Sequence, residues 1–247
     1  MDSVAKTVLF DIPIHDYNLE QFLSTLDLFC KSDGQKTICP LNVDIMNKVY
    51  EDPDLKAVIQ KADLIHVDGA GVLMGSFLTA QRLCQKLATN EIIYPLFDQF
   101  QHKDYRFYFL GGLDSQAQKA ADVLRKKYPK CQIVGVHRGH LSPLDTQTVI
   151  QDINTLKPHI LMVGFGSPIQ EFWINQYKSY LDVKVLWSVG AVNSYVAKLV
   201  PTAPLWMKRC GLEWVYRLLL EPTRLWRRYI IGNPLFLFRV LKERLHS

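Results

Sequence analysis

Short apolar runs alternate with helical patterns through the second half of the chain. The runs span 105–110, 131–136, 159–165 and 183–190, and stretches with helical spacing separate them. Runs of this length that are apolar on both faces are typical of strands buried between two layers. Because a helical stretch follows each strand, the pattern predicts parallel strands with helices on both faces of the sheet.

The first third of the chain fits the same scheme, with candidate strands at 7–10, 37–43 and 64–69 and candidate helices near 18–30 and 43–61. We therefore predict an α/β fold with a doubly wound, Rossmann-like, mostly parallel sheet over residues 1–195. Residues 196–247 are predicted to form a basic, amphipathic, helical C-terminal appendage.

Positive charge is concentrated in this appendage. Residues 205–247 contain nine Lys or Arg and three Asp or Glu, a net charge of +6, whereas the whole chain of 247 residues carries +5. The body is therefore close to neutral, unlike a nucleic-acid-binding domain with a broad basic face. We expect no nucleic-acid partner.

The appendage combines arginine with large apolar side chains. At helical spacing Arg217, Arg224 and Arg228 fall near one stripe, among Leu, Trp and Tyr residues. A guanidinium suits phosphate because it donates two parallel hydrogen bonds, and a basic helix with Trp and Leu also suits an anionic membrane surface. A solvated charged face on an ordinary helix is the alternative.

Apolar runs and cysteines indicate the compartment. No apolar run reaches the roughly 18 residues of a spanning helix, and the first residues lack the apolar core of a signal peptide. The five cysteines are scattered without a CxxC pair, which argues for a reducing compartment and against structural zinc or disulfides. We expect a cytoplasmic protein, peripheral to the inner face of the cell membrane.

Candidate site residues follow the predicted strands, where ligands bind in doubly wound sheets. Asp68 could act as a general base or form an Asx turn, and Asn42 could form a turn or donate a hydrogen bond. Gln170 and Glu171 could face the pocket, or Ser167 and Gln170 could form a helix-capping box. Glycines that would let backbone N–H groups approach phosphate are Gly111, Gly112 and Gly166.

Several common site motifs are absent from the sequence. It contains no dinucleotide-binding fingerprint, P-loop, G-x-S-x-G elbow or DxD-like carboxylate pair, and the histidines lack metal-ligand spacing. We therefore expect no metal and no cofactor, and a nicotinamide-dependent oxidoreductase is disfavoured.

Five segments, in this order and over nearly the whole chain, resemble the WecG/TagA/CpsF family of bacterial glycosyltransferases (glycosyltransferase family 26). They are DIPIHDYNLEQFL, LNVDIMNKVYEDPDLKAVIQKADLIHVDGAGV, YFLGGLDSQAQKAADVLRKKYPKCQIVGVHRGHLS, ILMVGFGSPIQEFWI and GLEWVYRLLLEPTRLWRRY. The resemblance implies a metal-independent, inverting transferase. It would move a hexose or N-acetylhexosamine from a UDP-sugar to a polyprenyl-diphosphate-linked sugar in cell-surface polysaccharide or wall-polymer assembly.

The same resemblance implies roles for individual residues. Asp68 matches the family's candidate catalytic base, while Asn42, Gln170 and Glu171 match donor-site positions. The tail arginines that match acceptor- and diphosphate-binding positions are Arg217, Arg224 and Arg227. The resemblance also implies an anionic membrane surface as partner of the appendage, and self-association into a homo-oligomer.

The chain departs from the family pattern in the same pocket. Pro40 stands where Thr is usual and Phe77 where Arg is usual. The segment QKLATNE replaces the usual E-R-v-x-G-x-D, so that Lys86, Thr89 and Glu91 stand in place of the usual residues. Either the donor sugar differs from the family norm or catalysis is weakened. A non-catalytic relative that serves as a nucleotide-sugar-binding or scaffold subunit at the membrane is therefore the alternative. The remaining departures are Ile169, Ser194, Lys198 and Thr202.

Overall fold

A computed structural model describes residues 5–79, 83, 85–113 and 115–246. Its strands are β1 (Lys6–Leu9), β2 (Ile12–His15), β3 (Lys36–Leu41), β4 (Leu64–Val67), β5 (Arg106–Gly111), β6 (Gln132–His137), β7 (Ile160–Gly164) and β8 (Val185–Ser188). Strands β3 to β8 form one parallel sheet in the order β4-β3-β8-β7-β5-β6. The predicted α/β fold is confirmed.

Helices cover both faces of this sheet, because alternate residues of its strands enter different cores. Phe107 and Phe109 belong to a core shared with α1, α5 and α6, whereas Tyr108 and Leu110 belong to one shared with α7 and α8. The helices are α1 (Leu19–Lys31), α2 (Val43–Glu51), α3 (Pro53–Gln60), α4 (Ala70–Ser76), α5 (Thr89–Phe100), α6 (Gln116–Lys127), α7 (Pro143–Leu156), α8 (Ile169–Tyr177), α9 (Val192–Val196), α10 (Leu205–Arg209), α11 (Glu213–Leu220), α12 (Pro222–Trp226) and α13 (Gly232–His246). A 3₁₀ helix spans Lys178–Tyr180, and a π-helical turn at Arg227–Ile231 connects α12 to α13.

The first strand corrects the predicted scheme. Strands β1 and β2 form a separate antiparallel hairpin and do not join the parallel sheet. Phe10 and Asp11 link them with φ values of 54° and 61°, the two-residue turn whose twist suits a hairpin. The sequence gives no indication of this turn, because neither residue is glycine, the residue that usually marks a positive φ.

The helix expected over 43–61 is two helices. Asp52 interrupts it, and its carboxylate accepts hydrogen bonds from the N–H groups of Asp54 and Leu55, which caps α3. Pro53 follows at the first position of α3, where its missing N–H costs nothing. The interruption at Asp52 therefore separates α2, which follows β3 directly, from α3.

The C-terminal segment folds back onto the body. Helix α13 packs on α2 and α4, and its Phe236 is fully buried against Gly75, where a Cβ atom would lie only 2.4 Å from the ring. Leu225, Tyr229 and Val240 are also buried. Among the helices of the described ranges, none combines the length and apolarity needed to span a membrane.

Candidate active site

A cleft of about 800 Å³ opens at the carboxyl ends of the central strands, within the range of about 300–1,000 Å³ usual for small-molecule sites. Its sheet wall comprises residues from 40–48, 68–74, 86–90, 166–170 and 189–195, and its C-terminal wall comprises residues from 208–237. The candidate site residues that line it are Asn42, Asp68, Gly166, Gln170, Arg217 and Arg224.

Asp68 is half-buried at the end of β4. Its Oδ1 accepts hydrogen bonds from the N–H and the Oγ–H of Thr89, at 2.7 and 2.8 Å. The carboxylate is therefore anchored to α5 and not to an Asx turn in its own loop. With Oδ1 engaged, Oδ2 is the oxygen that can accept a proton from a ligand hydroxyl.

Asn42 combines the two roles that the sequence left open. It is the N-cap of α2, where its Oδ1 accepts a hydrogen bond from the N–H of Ile45 at 3.2 Å, as cap residues do. It also lines the cleft. Because the cap engages the carbonyl oxygen, the amide Nδ2 is the group that can donate to a ligand.

Gln170 connects two loops of the sheet wall. Its Oε1 accepts hydrogen bonds from the N–H groups of Gly166 and Gly190, at 3.2 and 3.1 Å. Its Nε2 donates to Glu171 Oε1 at 2.8 Å. The alternative, a capping box of Ser167 and Gln170, does not form, since no side chain caps the start of α8. Gln170 therefore fixes the loops after β7 and β8 relative to each other.

Glu171 lies behind this wall and does not line the cleft. The side chain is 4% exposed, and its Oε1 also accepts a hydrogen bond from Ser167 Oγ at 2.9 Å. Burial raises the pKa of Glu171, although the hydrogen bonds from Gln170 and Ser167 and the charge of Lys48 oppose the shift. Glu171 therefore contacts the loop after β7, through Ser167 and Gln170, and supports the cleft from behind.

Gly111 and Gly112 also lie outside the cleft lining. Both have positive φ, and a Cβ on Gly111 would come within 2.4 Å of the carbonyl oxygen of Gly164. Gly112 donates its N–H to that same oxygen at 3.1 Å. Close approach of β5 and β7 therefore explains both glycines without a ligand.

Arg217 projects from α11 into the cleft and contacts an aromatic ring. Its guanidinium lies 5.6 Å from the ring centroid of Tyr195, and the carboxylates of Glu213 and Asp68 interact with it electrostatically. Its Nε is buried without a hydrogen-bond partner in the described part of the chain. A buried donor without a partner is costly, so this nitrogen is a natural donor to a ligand oxygen.

The other arginines divide between the cleft and the outer surface. Arg224 lines the cleft and forms a two-point ion pair with Glu221, at 2.6 and 2.7 Å. Arg228 lines it as well, whereas Arg227 is exposed, with its guanidinium over the ring of Trp226. The cleft therefore receives the predicted stripe of Arg217, Arg224 and Arg228, and Arg227 lies outside it.

Three lysines also line the cleft: Lys86, which the family pattern already placed in the pocket, and Lys48 and Lys208, which no motif indicated. Lys48 donates to the carbonyl oxygen of Ser167 at 2.9 Å. Lys86 and Lys208 approach the two carboxylate oxygens of Glu91 at 3.4 and 3.5 Å, which links α10 to the start of α5. Together with the three arginines they outnumber the lining carboxylates of Asp44, Asp68 and Glu213. Lys48 and Lys208 are far apart in the sequence, so no local motif could indicate that they share one site.

No group of three or more His, Cys, Asp or Glu residues within 5–79, 83, 85–113 and 115–246 is placed to hold a metal ion.

Comparison with known protein families matches residues 7–247 to the model described as "Glycosyl transferase WecG/TagA/CpsF family". The chain belongs to the WecG/TagA/CpsF glycosyltransferase family. The family suggested by the five sequence segments is therefore confirmed, and so is the enzyme class. The chain is a glycosyltransferase, and the alternative of a non-catalytic subunit gives way to it.

Three similar proteins share the name N-acetylglucosaminyldiphosphoundecaprenol N-acetyl-beta-D-mannosaminyltransferase. The protein from Bacillus subtilis is 29% identical over 236 residues, covering 95% of this chain and 91% of the relative. That from Bacillus spizizenii is 29% identical over 229 residues, covering 92% and 88%. That from Staphylococcus aureus is 26% identical over 245 residues, covering 98% and 94%.

Proposed function

We propose that this glycosyltransferase moves a hexose or N-acetylhexosamine from a UDP-sugar to a polyprenyl-diphosphate-linked sugar in cell-surface polysaccharide or wall-polymer synthesis. The observation that carries the proposal is the cleft, in which the carboxylate of Asp68, anchored by Thr89, lies among cations suited to diphosphate. The names of the relatives support a lipid-diphosphate-linked acceptor and make N-acetylmannosamine the first donor sugar to test.

Asp68 is the general base of the proposed reaction. Its Oδ2 takes the proton of the acceptor hydroxyl while that oxygen attacks the anomeric carbon from the side opposite UDP. The new glycosidic bond forms as the bond from the anomeric carbon to the UDP oxygen breaks, so the configuration inverts. The proton ends on Asp68 and the electron pair on the departing diphosphate.

The cations of the C-terminal wall stabilise that departing charge. Arg217 offers its unpartnered Nε, and Lys208 and Arg228 add charge along the same cleft. Fixed cations at the point where charge develops lower the barrier, and they supply the neutralisation that a metal-independent transferase needs. On the sheet wall, Asn42, Gly166 and Gln170 would bind the donor, with Glu171 supporting them from behind.

The segment 196–247 is proposed as the membrane- and acceptor-binding unit of a peripheral protein at the inner face of the cell membrane. It exposes large apolar side chains beside arginines, including Trp226, whose ring contacts Arg227. Such surfaces bind anionic bilayers. The other exposed apolar residues of the segment include Leu205, Trp206, Leu219, Ile230 and Phe238.

Release of UDP from a panel of UDP-hexoses and UDP-N-acetylhexosamines, with a prenyl-diphosphate-sugar acceptor and anionic vesicles, tests the reaction. We expect acceptor-dependent turnover with one donor and inversion at the anomeric carbon by NMR of the product. Retention of turnover with excess chelator is expected. No turnover with any donor, from folded protein, would refute the proposal.

The membrane role has a separate test with the variant R227Q. We expect it to sediment less with anionic vesicles and to lose activity toward the lipid-linked acceptor. Because Arg227 lies outside the cleft, activity toward a soluble acceptor analogue should be unchanged. Equal loss with both acceptors would assign Arg227 to the catalytic cleft instead.

A further inference from the structure

Thr89 donates two hydrogen bonds to the proposed catalytic base, Asp68. It is the first residue of α5, and its side chain is buried, with only 2% of the residue exposed. Its N–H and Oγ–H both donate to Asp68 Oδ1, at 2.7 and 2.8 Å. Two short hydrogen bonds on one oxygen restrict rotation of the carboxylate.

The start of α5 depends on this contact as well. Its N-cap residue is Ala88, which has no side-chain acceptor for the first N–H groups of the helix. Asp68 supplies that acceptor from β4, 21 residues earlier in the chain. The carboxylate therefore also lies at the N-terminal, positive end of a 12-residue helix.

Both partners are fixed to the sheet. The N–H of Asp68 donates to the carbonyl oxygen of Leu41 at 2.8 Å, and the N–H of Leu87 donates to that of Val67 at 2.7 Å. The segment that carries Thr89 thus runs beside the end of β4 before α5 begins. The backbone of Asp68 and the backbone two residues before Thr89 are therefore each bonded to the sheet.

We propose that Thr89 is a positioning residue that acts through Asp68, an inference that rests on the proposed function. It holds Oδ1 so that Oδ2 is presented to the acceptor hydroxyl in the one orientation that allows proton transfer. Glycine at this position would keep the N–H donor and lose the hydroxyl.

The variants T89V and T89S separate the hydroxyl from the bulk of the side chain. T89V removes the Oγ–H donor at nearly constant volume, and we expect kcat to fall about tenfold or more. The KM for the UDP-sugar and the dissociation constant of UDP should stay within about twofold, because Thr89 acts on the base and not on donor affinity. T89S keeps a hydroxyl and should restore most of kcat.

A double-mutant cycle distinguishes positioning from a general structural effect. If Thr89 acts through Asp68, T89V should cause no further loss in a D68N background. A further loss of the same size as in wild type, or wild-type kcat for T89V, would overturn the inference while leaving the proposed function intact. Absence of turnover in the wild type would instead refute the proposed function, and with it this role for Thr89.

Discussion

The polar side chains of the sheet wall are held by hydrogen bonds that join one loop to the next, whereas the cationic side chains of the C-terminal wall contact ring faces and carboxylates. Gln170 joins the loops after β7 and β8, and Thr89 anchors Asp68. On the opposite wall, Arg217 lies over Tyr195, and Lys208 reaches Glu91 at 3.5 Å. Hydrogen bonds fix direction closely, while cation–ring contacts fix position less strictly.

This difference suits different tasks. A general base needs its oxygen within hydrogen-bond reach of one proton, which the sheet wall can guarantee. Diphosphate charge is spread over several oxygens, so several fixed cations along the C-terminal wall can share it as the leaving group departs. We therefore expect damage to the sheet wall to lower kcat and damage to the C-terminal wall to weaken binding of diphosphate.

The largest effect should come from D68N. Asn can still accept the hydrogen bonds of Thr89 through its oxygen, so the variant should fold, but it cannot take the acceptor proton. Loss of a general base costs about 10²- to 10⁴-fold, and we expect kcat to fall within that range. Thermal unfolding provides the control for folding, and near-normal kcat would remove Asp68 from the mechanism.

R217Q should have the next largest effect. Removing a fixed donor at a developing charge costs about 100-fold, and we expect a loss of that size in kcat/KM for the UDP-sugar. R217K should recover part of it, because charge remains but the two-point fork does not. R209Q removes an equal charge from an exposed position outside the cleft lining. With a soluble acceptor this control should behave as wild type.

Y195L should have a smaller effect on the same wall. Burial raises the pKa of Tyr195 to about 12, so the phenol stays neutral and acts on Arg217 through its ring. A cation–π contact is worth about 0.5–2 kcal/mol, which predicts a loss of roughly 2- to 30-fold in kcat/KM. Y195F keeps the ring face and should be nearly normal; equal loss in both variants would contradict the ring contact.

His66 allows a test of the sheet wall in which the free energy of unfolding is measured instead of turnover. It is fully buried between Phe22 and Trp187, and this burial lowers its pKa to about 4, with Asp68 opposing the shift and His15 adding to it. Between pH 6.5 and 4 the unfolded chain binds the extra proton, so stability falls on acidification.

The expected loss from His66 between pH 7 and pH 5 is about 2 kcal/mol in the free energy of unfolding. Urea unfolding of wild type and H66F at both pH values measures it, because phenylalanine fills the same aromatic site without titrating. The pH dependence should be smaller in H66F by about that amount. An unchanged dependence would show that His66 is not held neutral by the fold.

The parallel sheet and the strand-end positions of Asp68 and Asn42 could be predicted because each depends on a local apolar run and the residue that follows it. The N-terminal hairpin could not, since Phe10 and Asp11 adopt positive φ without glycine. Glu171 shares a motif with Gln170, yet consecutive helical residues face different directions, and only Gln170 reaches the cleft lining.

Contacts between distant segments were beyond the sequence analysis. The bond from Thr89 to Asp68 spans 21 residues, and Lys208 meets Glu91 through the folding of the C-terminal segment onto the body. Helical spacing did identify Arg228 as a neighbour of Arg217 and Arg224, whereas the family resemblance selected Arg227. Arg217 lies in α11, Arg224 in α12 and Arg228 in the π-helical turn that follows, with an interruption at Glu221, so tertiary packing and not one continuous helix brings them to the cleft.

Calorimetric titration of UDP into wild type, D68N and R217Q tests the division of labour between the two walls most directly, because it needs neither acceptor nor membrane. The account predicts that D68N binds UDP within about twofold of wild type and that R217Q binds it at least about tenfold more weakly. Equal weakening in both variants, or unchanged UDP affinity in R217Q, would contradict it.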